Sequence, residues 1–377
     1  MTRNNLGNAL KAQALQDTGA NAAKLLAQAV GAYRAELQVR TRERFPQDWA
    51  MTHISLGNAL KEQALRAAGA DTAKLLAQAV EAYHDALQIY TFERFPRHWA
   101  MTQNNLGAAL RAQALETAGA DATKLFAQAV GAYRDALQIR TRERFPQAWA
   151  TTQNNLGAAL KAQALQTAGG NAAKLLAQAV DVYREALQVR TRERFPQDWA
   201  MIQNNLGNAL KEQALRTTGA DVSKLLAQAV EAYRDALQVY TFERFPQAWA
   251  TTQNNLGAAL KEQAFRIVGA DTAKLLAQAV DAYGDALQVR TRERFPQDWA
   301  MIQNNRGNAL KAQALQTGGA AAAKLLAQAV NAYRDALQLF SKRDFASSHD
   351  IISRNLEEAT LYLAAYDHET QSIEEPL

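Results

Sequence analysis

The side chains with the most chemical capacity in this sequence are amides and cations that return at fixed places. Asn4-Asn5, Asn104-Asn105, Asn154-Asn155, Asn204-Asn205 and Asn254-Asn255 share one phase of a fifty-residue period, and Asn8 and Asn208 follow about one helical turn later. Lys11, Arg111, Lys161, Lys211 and Lys261 each come six residues after the second asparagine. An amide side chain offers both a donor and an acceptor, so it can pair with the main chain of an extended peptide without reading its side chains. A cation on a later turn attracts a carboxylate. The other use of the same residues is internal: Asn105 and its copies can hydrogen-bond the neighbouring unit and set how units stack. Sequence alone leaves both open. The second unit departs, with Ile54 and Ser55 in place of the pair.

Other chemistries find no residues. No Ser-His-Asp set, glycine-rich phosphate loop or paired carboxylate stands outside the repeat, so the chain is not expected to be an enzyme. The histidines at 53, 84, 98, 349 and 368 fall at different phases and there is no cysteine, so neither a metal nor another cofactor is expected. The run Arg140-Thr141-Arg142-Glu143-Arg144 recurs in four units, but glutamate interrupts it and the net charge is only +5. A nucleic-acid partner is therefore disfavoured. No window holds eighteen apolar residues and the N-terminus lacks a signal sequence, so no membrane is expected and the default location is the cytoplasm.

The elements that must carry these residues follow from the period. Trp49, Trp99, Trp149, Trp199, Trp249 and Trp299 are all the tryptophans there are, and every proline except Pro376 stands three residues before one of them. The chain divides without insertions into units 1–45, 46–95, 96–145, 146–195, 196–245, 246–295 and 296–345. Each unit reads as two helices. The first opens at Phe-Pro, where proline suits the first helical position, with Asp48, Asp198 or Asp298 favouring the dipole in some units. Trp99, Leu106 and Leu110 form its stripe, which ends near Gly119 as a C-cap. Asp121 or Asn171 is the expected N-cap of the second helix, whose buried face runs through Leu125, Phe126, Ala129, Val130, Tyr133, Ala136, Leu137 and Ile139. Arg140, Arg142 and Arg144 are expected in its last turn. Tryptophan and tyrosine at fixed phase read as core.

Hairpins of this kind still expose apolar flanks, so they must stack. The expected fold is all-α: an α–α superhelical solenoid of seven fifty-residue hairpins over 1–345, a capping helix over 346–366, and an acidic flexible tail over 367–377. Two irregularities stand out. Arg306 replaces a leucine of the buried stripe, either snorkelling past the cap or pairing with an acid on it. Tyr90, Phe92, Tyr240 and Phe242 replace arginines in units two and five, which reveals a higher period of 150 residues and suggests lateral contact patches if these rings are exposed.

The units resemble the tetratricopeptide repeat, whose pattern is Trp-x2-Leu-Gly-x2-Tyr, then Ala-x3-Phe, then Pro. Leu106-Gly107-x2-Leu110, Ala129-x3-Tyr133 and Pro146 supply the three blocks, with leucine in the first tyrosine position. The phrase NLGNAL is most similar to kinesin-light-chain-type repeats, and RFPxDWAxxQNNLG to arrays in bacterial proteins. The family period is about 34 residues rather than fifty, which fits hairpins lengthened at each end. The resemblance implies a right-handed superhelix whose first helices line a concave face where peptides lie. Anchored on Leu-Gly, it puts the asparagines and cations named above, with Met101, Ala108 and Ala112, on that face. The implied function is a non-catalytic interaction scaffold for a protein or peptide partner, acidic or extended. A self-assembling structural element and a nucleic-acid-binding solenoid are the alternatives.

Overall fold

A computed structural model describes residues 3–17, 19–67, 69–219, 221–267 and 269–374, with side chains up to Tyr366. Its described residues form helices and turns and contain no strand. The first helices of the seven hairpins are α1 (Arg3–Gln16), α3 (Pro46–Ala64), α5 (Pro96–Leu115), α7 (Pro146–Leu165), α9 (Pro196–Leu215), α11 (Pro246–Ala264) and α13 (Pro296–Thr317). Their second helices are α2 (Gly19–Leu37), α4 (Ala70–Leu87), α6 (Gly119–Ile139), α8 (Gly170–Leu187), α10 (Asp221–Leu237), α12 (Ala270–Val289) and α14 (Gly319–Leu337), and α15 (Ala346–Glu374) follows. The all-α array of helical hairpins expected from the sequence is what the chain forms. It divides into two compact units, Met1–Arg190 with α1 to α8 and Thr191–Leu377 with α9 to α15.

Proline opens six first helices, each preceded by a phenylalanine near φ −140° whose carbonyl accepts the tryptophan N–H, as in Trp149 N to Phe145 O at 2.8 Å. The turn before it is set by threonine: Thr141 O accepts the Phe145 N–H at 2.9 Å and its hydroxyl accepts the Arg144 N–H at 3.3 Å. The arginines of this segment therefore lie beyond the second helix, because α6 already ends at Ile139. The expectation that they complement the helix dipole is corrected.

The reversal inside each hairpin also differs from expectation. α5 ends at Leu115, and Gly119, at φ +67°, opens α6 instead of capping α5. The link is so short that the chain must pass through a left-handed residue just as the second helix begins, which is glycine's conformational niche. Asp121 and Asn171 consequently sit inside the first turn, and neither α6 nor α8 has a side-chain N-cap bond.

Tyrosine at one phase of the second helix locks each pair. Tyr33, Tyr83, Tyr133, Tyr183, Tyr233, Tyr283 and Tyr333 are fully buried. Each ring lies across a first-helix glycine so closely that a Cβ on Gly57 would sit 2.8 Å from Tyr83 Cε1, and one on Gly157 2.7 Å from Tyr183 Cε1. Alanines fill the rest of the interface. Tryptophan is more peripheral than expected: Trp99 is half-buried beside Ala100, Ala136 and Ile139. Arg42, Arg192 and Arg292 lie over the rings of Trp49, Trp199 and Trp299 at 5.6–5.9 Å. Phe92 and Phe242 take that place over Trp99 and Trp249, edge-on at 5.1 and 5.3 Å. Tyr90 is buried with its hydroxyl on the Gln47 carbonyl at 2.9 Å, so it is a packing residue and not part of an exposed patch.

The terminal helix is longer than expected. No glycine or proline interrupts 346–374, so α15 continues through most of the segment expected to be a flexible tail, and the last three residues lie outside the described ones. It packs on α14 and touches α13, as each first helix packs on the preceding hairpin of its unit. Its ion pair with the array is Lys311 to Glu358 at 2.7 Å. Arg306 is half-buried with its Nε closed off and unbonded, and it makes no salt bridge to the cap among the described residues.

Candidate functional site: the amide ladder of the first helices

Within each unit, successive first helices touch one another, whereas successive second helices do not approach at the backbone. Second helices are bridged instead by long side chains, Arg34 to Gln78, Arg134 to Gln178 and Arg234 to Gln278, at 2.9–3.0 Å. The first helices thus form the tighter side of each unit, and they bring the asparagines of consecutive hairpins together.

Those asparagines pair across hairpins. Asn105 Nδ2 donates to Asn58 Oδ1 at 3.4 Å, and Asn155 Nδ2 to Asn104 Oδ1 at 3.4 Å. Asn104 Oδ1 also accepts the Thr152 hydroxyl at 3.2 Å, while its Nδ2 donates to Asn105 Oδ1 at 3.3 Å. In the second unit Asn255 Nδ2 donates to Asn204 Oδ1 at 3.2 Å. These are long bonds, and each amide retains further donor or acceptor capacity. Asn154 is buried, Asn205 half-buried and Asn5 exposed, and all three are engaged. Asn4 and Asn254 are half-buried with their Oδ1 atoms closed off and unbonded.

The next turn carries Asn8 and Asn208, and the structure gives them a partner that sequence reasoning missed. Tyr33 donates to Asn8, Tyr83 to Asn58, Tyr233 to Asn208 and Tyr333 to Asn308, each at 2.8–2.9 Å. Hairpins three, four and six have Ala108, Ala158 and Ala258 there, and the hydroxyls of Tyr133, Tyr183 and Tyr283 are buried without a hydrogen-bond partner. Burial pushes the Tyr133 phenol up to about 12, with Arg111 beside it pulling the other way. A sequence signal for this existed: asparagine alternates with alanine at one phase while the tyrosine is constant.

The cations are half-buried along the same face. Lys211 and Lys261 approach Glu212 and Glu262 at 3.6 and 3.3 Å, and Lys261 lies 5.9 Å from the Phe265 ring centroid. Lys161 is also engaged. Burial lowers the Lys11 pKa, with Glu62 opposing. Among the described residues Arg111 makes no salt bridge; its Nε is buried without a partner, while its guanidinium lies beside the Tyr133 hydroxyl. A second row missed from sequence joins the two helices of a hairpin: Gln153 to Glu185, Gln203 to Asp235 at 3.1 Å and Gln253 to Asp285 at 2.9 Å. His53 takes the glutamine position, 3.4 Å from Asp85.

The arginine runs are largely consumed by the scaffold. Arg42, Arg142 and Arg192 donate to Gln88, Gln188 and Gln238 of the next hairpin, and Arg140 donates to Thr152 at 3.0 Å. Among the described residues there is no group of His, Asp or Glu able to hold a metal ion, and no helix long and apolar enough to cross a membrane.

No family model and no curated protein matches the chain. Solved structures of helical-repeat proteins do align. The C-terminal part of a TPR repeat-containing protein from Cytophaga hutchinsonii is 10% identical over 88% of this chain and 93% of its own, with a TM-score of 0.49. A signal transduction ATPase with a tetratricopeptide repeat sensor, from Pyrococcus horikoshii, is 13% identical over 98% of this chain and 53% of its own, at 0.42. The TPR2AB domain of yeast Sti1, solved in complex with pHSP90, is 16% identical over 83% and 99%, at 0.29. The chain is an array of helical hairpins whose Leu-Gly anchors, with tyrosines packed on them, resemble those of tetratricopeptide repeats.

Proposed function

We propose that this protein is a non-catalytic scaffold that binds a protein or peptide partner, acidic or extended, along the first-helix face. The observation that supports this most directly is the convergence of first helices within each unit, which sets half-buried amides and cations side by side at hairpin spacing. The amide ladder spends part of its capacity on stacking, and the remainder suits the backbone of an extended segment. Screening the full chain against a random peptide library tests the reading. Enriched peptides should lose affinity when Asn105 and Asn155 become alanine in a chain that stays folded by circular dichroism. Unchanged affinity would make the ladder a stacking device alone.

Self-association is the second reading, and α1 favours it. Leu6 is 45% exposed, whereas its counterparts Leu56, Leu106, Leu156, Leu206 and Leu256 are buried against neighbouring helices. Light scattering of Leu6→Lys against the unmodified chain would show whether this face holds a second copy.

A further inference from the structure

Every first helix ends on a large apolar side chain at one phase of the repeat: Leu15, Leu65, Leu115 and Leu165 in the first unit, Leu215, Phe265 and Leu315 in the second. Each is between 44% and 66% exposed, whereas the alanine before it is buried. Glutamine or lysine has nearly the helix propensity of leucine, so neither packing nor propensity calls for an apolar residue here. A single exposed leucine is ordinary. One on every hairpin at the same phase makes a row along the edge where the hairpins turn, and such a patch marks a contact surface. In the first unit Leu65 and Leu115 line one groove of about 230 Å3, together with Leu76, Ala112 and Glu116.

The residue after each apolar one selects the occupant. In the first unit it reads Gln16, Arg66, Glu116 and Gln166, all exposed. Read backwards, the same row sets amide opposite amide and each charge opposite its complement. A two-fold axis between hairpins two and three therefore brings Arg66 of each copy to Glu116 of the other, and Leu65 to Leu115. Among the described residues Glu116 forms no ion pair. Arg66 bonds to the Glu62 carboxylate at 3.3 Å and to its carbonyl at 3.0 Å through Nη1 alone, which leaves the other guanidinium N–H groups for a partner. The second unit has Arg216, Arg266 and Gln316 at this position. There, a two-fold axis on or between hairpins five and six sets arginine against arginine, which disfavours pairing.

We propose that the hairpin-tip edge of the first unit is a self-recognition surface, through which two copies of this chain pair antiparallel about a two-fold axis. Leu65 and Leu115 form its apolar centre, Arg66 and Glu116 fix its register, and Gln16 and Gln166 lie at its polar ends. The periodic row matches a second copy of itself in spacing, and its charges match only when the order of hairpins is reversed. Because the same patch serves both copies, association closes at a dimer and does not propagate. The surface is separate from the amide ladder and from Leu6 on α1.

Sedimentation velocity of the full chain over a concentration series tests the surface. The unmodified chain should pass from monomer to dimer and stop there. Leu115→Lys enters the interface twice and should raise the dissociation constant at least about tenfold. Arg66→Glu and Glu116→Arg should each weaken the dimer by a similar factor, since each sets like charges together. Combining the two restores opposite charges and should return the constant to within about threefold of the unmodified chain. That recovery cannot come from a misfolded variant. Leu215→Lys, at the same phase of the second unit, and Leu6→Lys should each stay within about twofold, being distant from the paired residues. The proposal is overturned if the unmodified chain stays monomeric or grows into an open polymer. It is equally overturned if the double charge reversal is no better than either single one, or if Leu215→Lys or Leu6→Lys weakens the dimer as much as Leu115→Lys. A monomer that instead floats with phosphatidylserine vesicles, and ceases to in Leu115→Lys, would give the edge to a membrane and overturn the pairing too.

Discussion

The alternation of asparagine and alanine beneath a constant tyrosine makes one chemical change act with opposite sign in two hairpins of the same unit. In Tyr83→Phe the lost hydroxyl had donated to Asn58 at 2.8 Å, and Asn58 keeps Asn105 as a donor at 3.4 Å. The net loss is then that of an ordinary intramolecular hydrogen bond, about 1 kcal/mol. In Tyr183→Phe the lost hydroxyl was buried and unpartnered, so its removal relieves a desolvation penalty of about 1–3 kcal/mol. The ring lies over a glycine at nearly the same distance in both. For a cooperative unit of this size, 1 kcal/mol moves the melting temperature by about 2–4 °C. Circular dichroism melts should show Tyr83→Phe lower and Tyr183→Phe higher than the unmodified chain. Ala158→Asn should raise stability in the Tyr183 background and lose that gain in Tyr183→Phe, a coupling a double-mutant cycle isolates. Equal destabilisation by both phenylalanine variants would refute the pairing scheme.

Gly157→Ala should cost about 1–3 kcal/mol in urea unfolding, because the new Cβ would press on the Tyr183 ring; a tolerant glycine would mean the ring contact is loose. Trp149→Ala should lower the melting temperature and cost less than the about 3–5 kcal/mol of a fully buried indole, since this one is only half-buried. His53 has its pKa lowered by burial, with Asp85 opposing. The unfolded chain therefore binds a proton at higher pH than the folded one, and the contribution of His53 is present above the ordinary histidine value and lost as pH falls below it. His53→Gln, the residue that other hairpins use, should flatten the stability profile between about pH 7 and 5; an unchanged slope would place that dependence elsewhere.

Much of the array was legible from sequence because it is written in local terms. Phe-Pro marks where a helix starts, and a stripe such as Leu106 and Leu110 marks which face is buried. What escaped is what depends on register between elements. Arg142 looks like a helix-terminal cation from its neighbours alone, yet its partner is Gln188, forty-six residues on. Gly119 looks like the end of one helix and is the beginning of the next. Asn104 could serve a ligand or a neighbour, and only the placement of Asn155 and Thr152 shows how much of its capacity is spent. The significance of Ala108 and Ala158 lay in comparing repeats, asparagine or alanine at one phase over a constant tyrosine, since an alanine taken singly gives no hint of the hydroxyl beneath it.

The tyrosine-over-glycine contact closes every hairpin in the same way, from Gly7 with Tyr33 to Gly307 with Tyr333. In genetic terms the hairpins are interchangeable cassettes: unequal recombination between two of them adds or removes a whole multiple of fifty residues and leaves every joint of the original kind. Such exchange is not neutral for what the array carries. Duplicating an asparagine-bearing cassette lengthens the scaffold without comment, whereas inserting one between hairpins three and four would part Ala108 from Ala158, the two consecutive alanines that leave tyrosine hydroxyls without an asparagine partner.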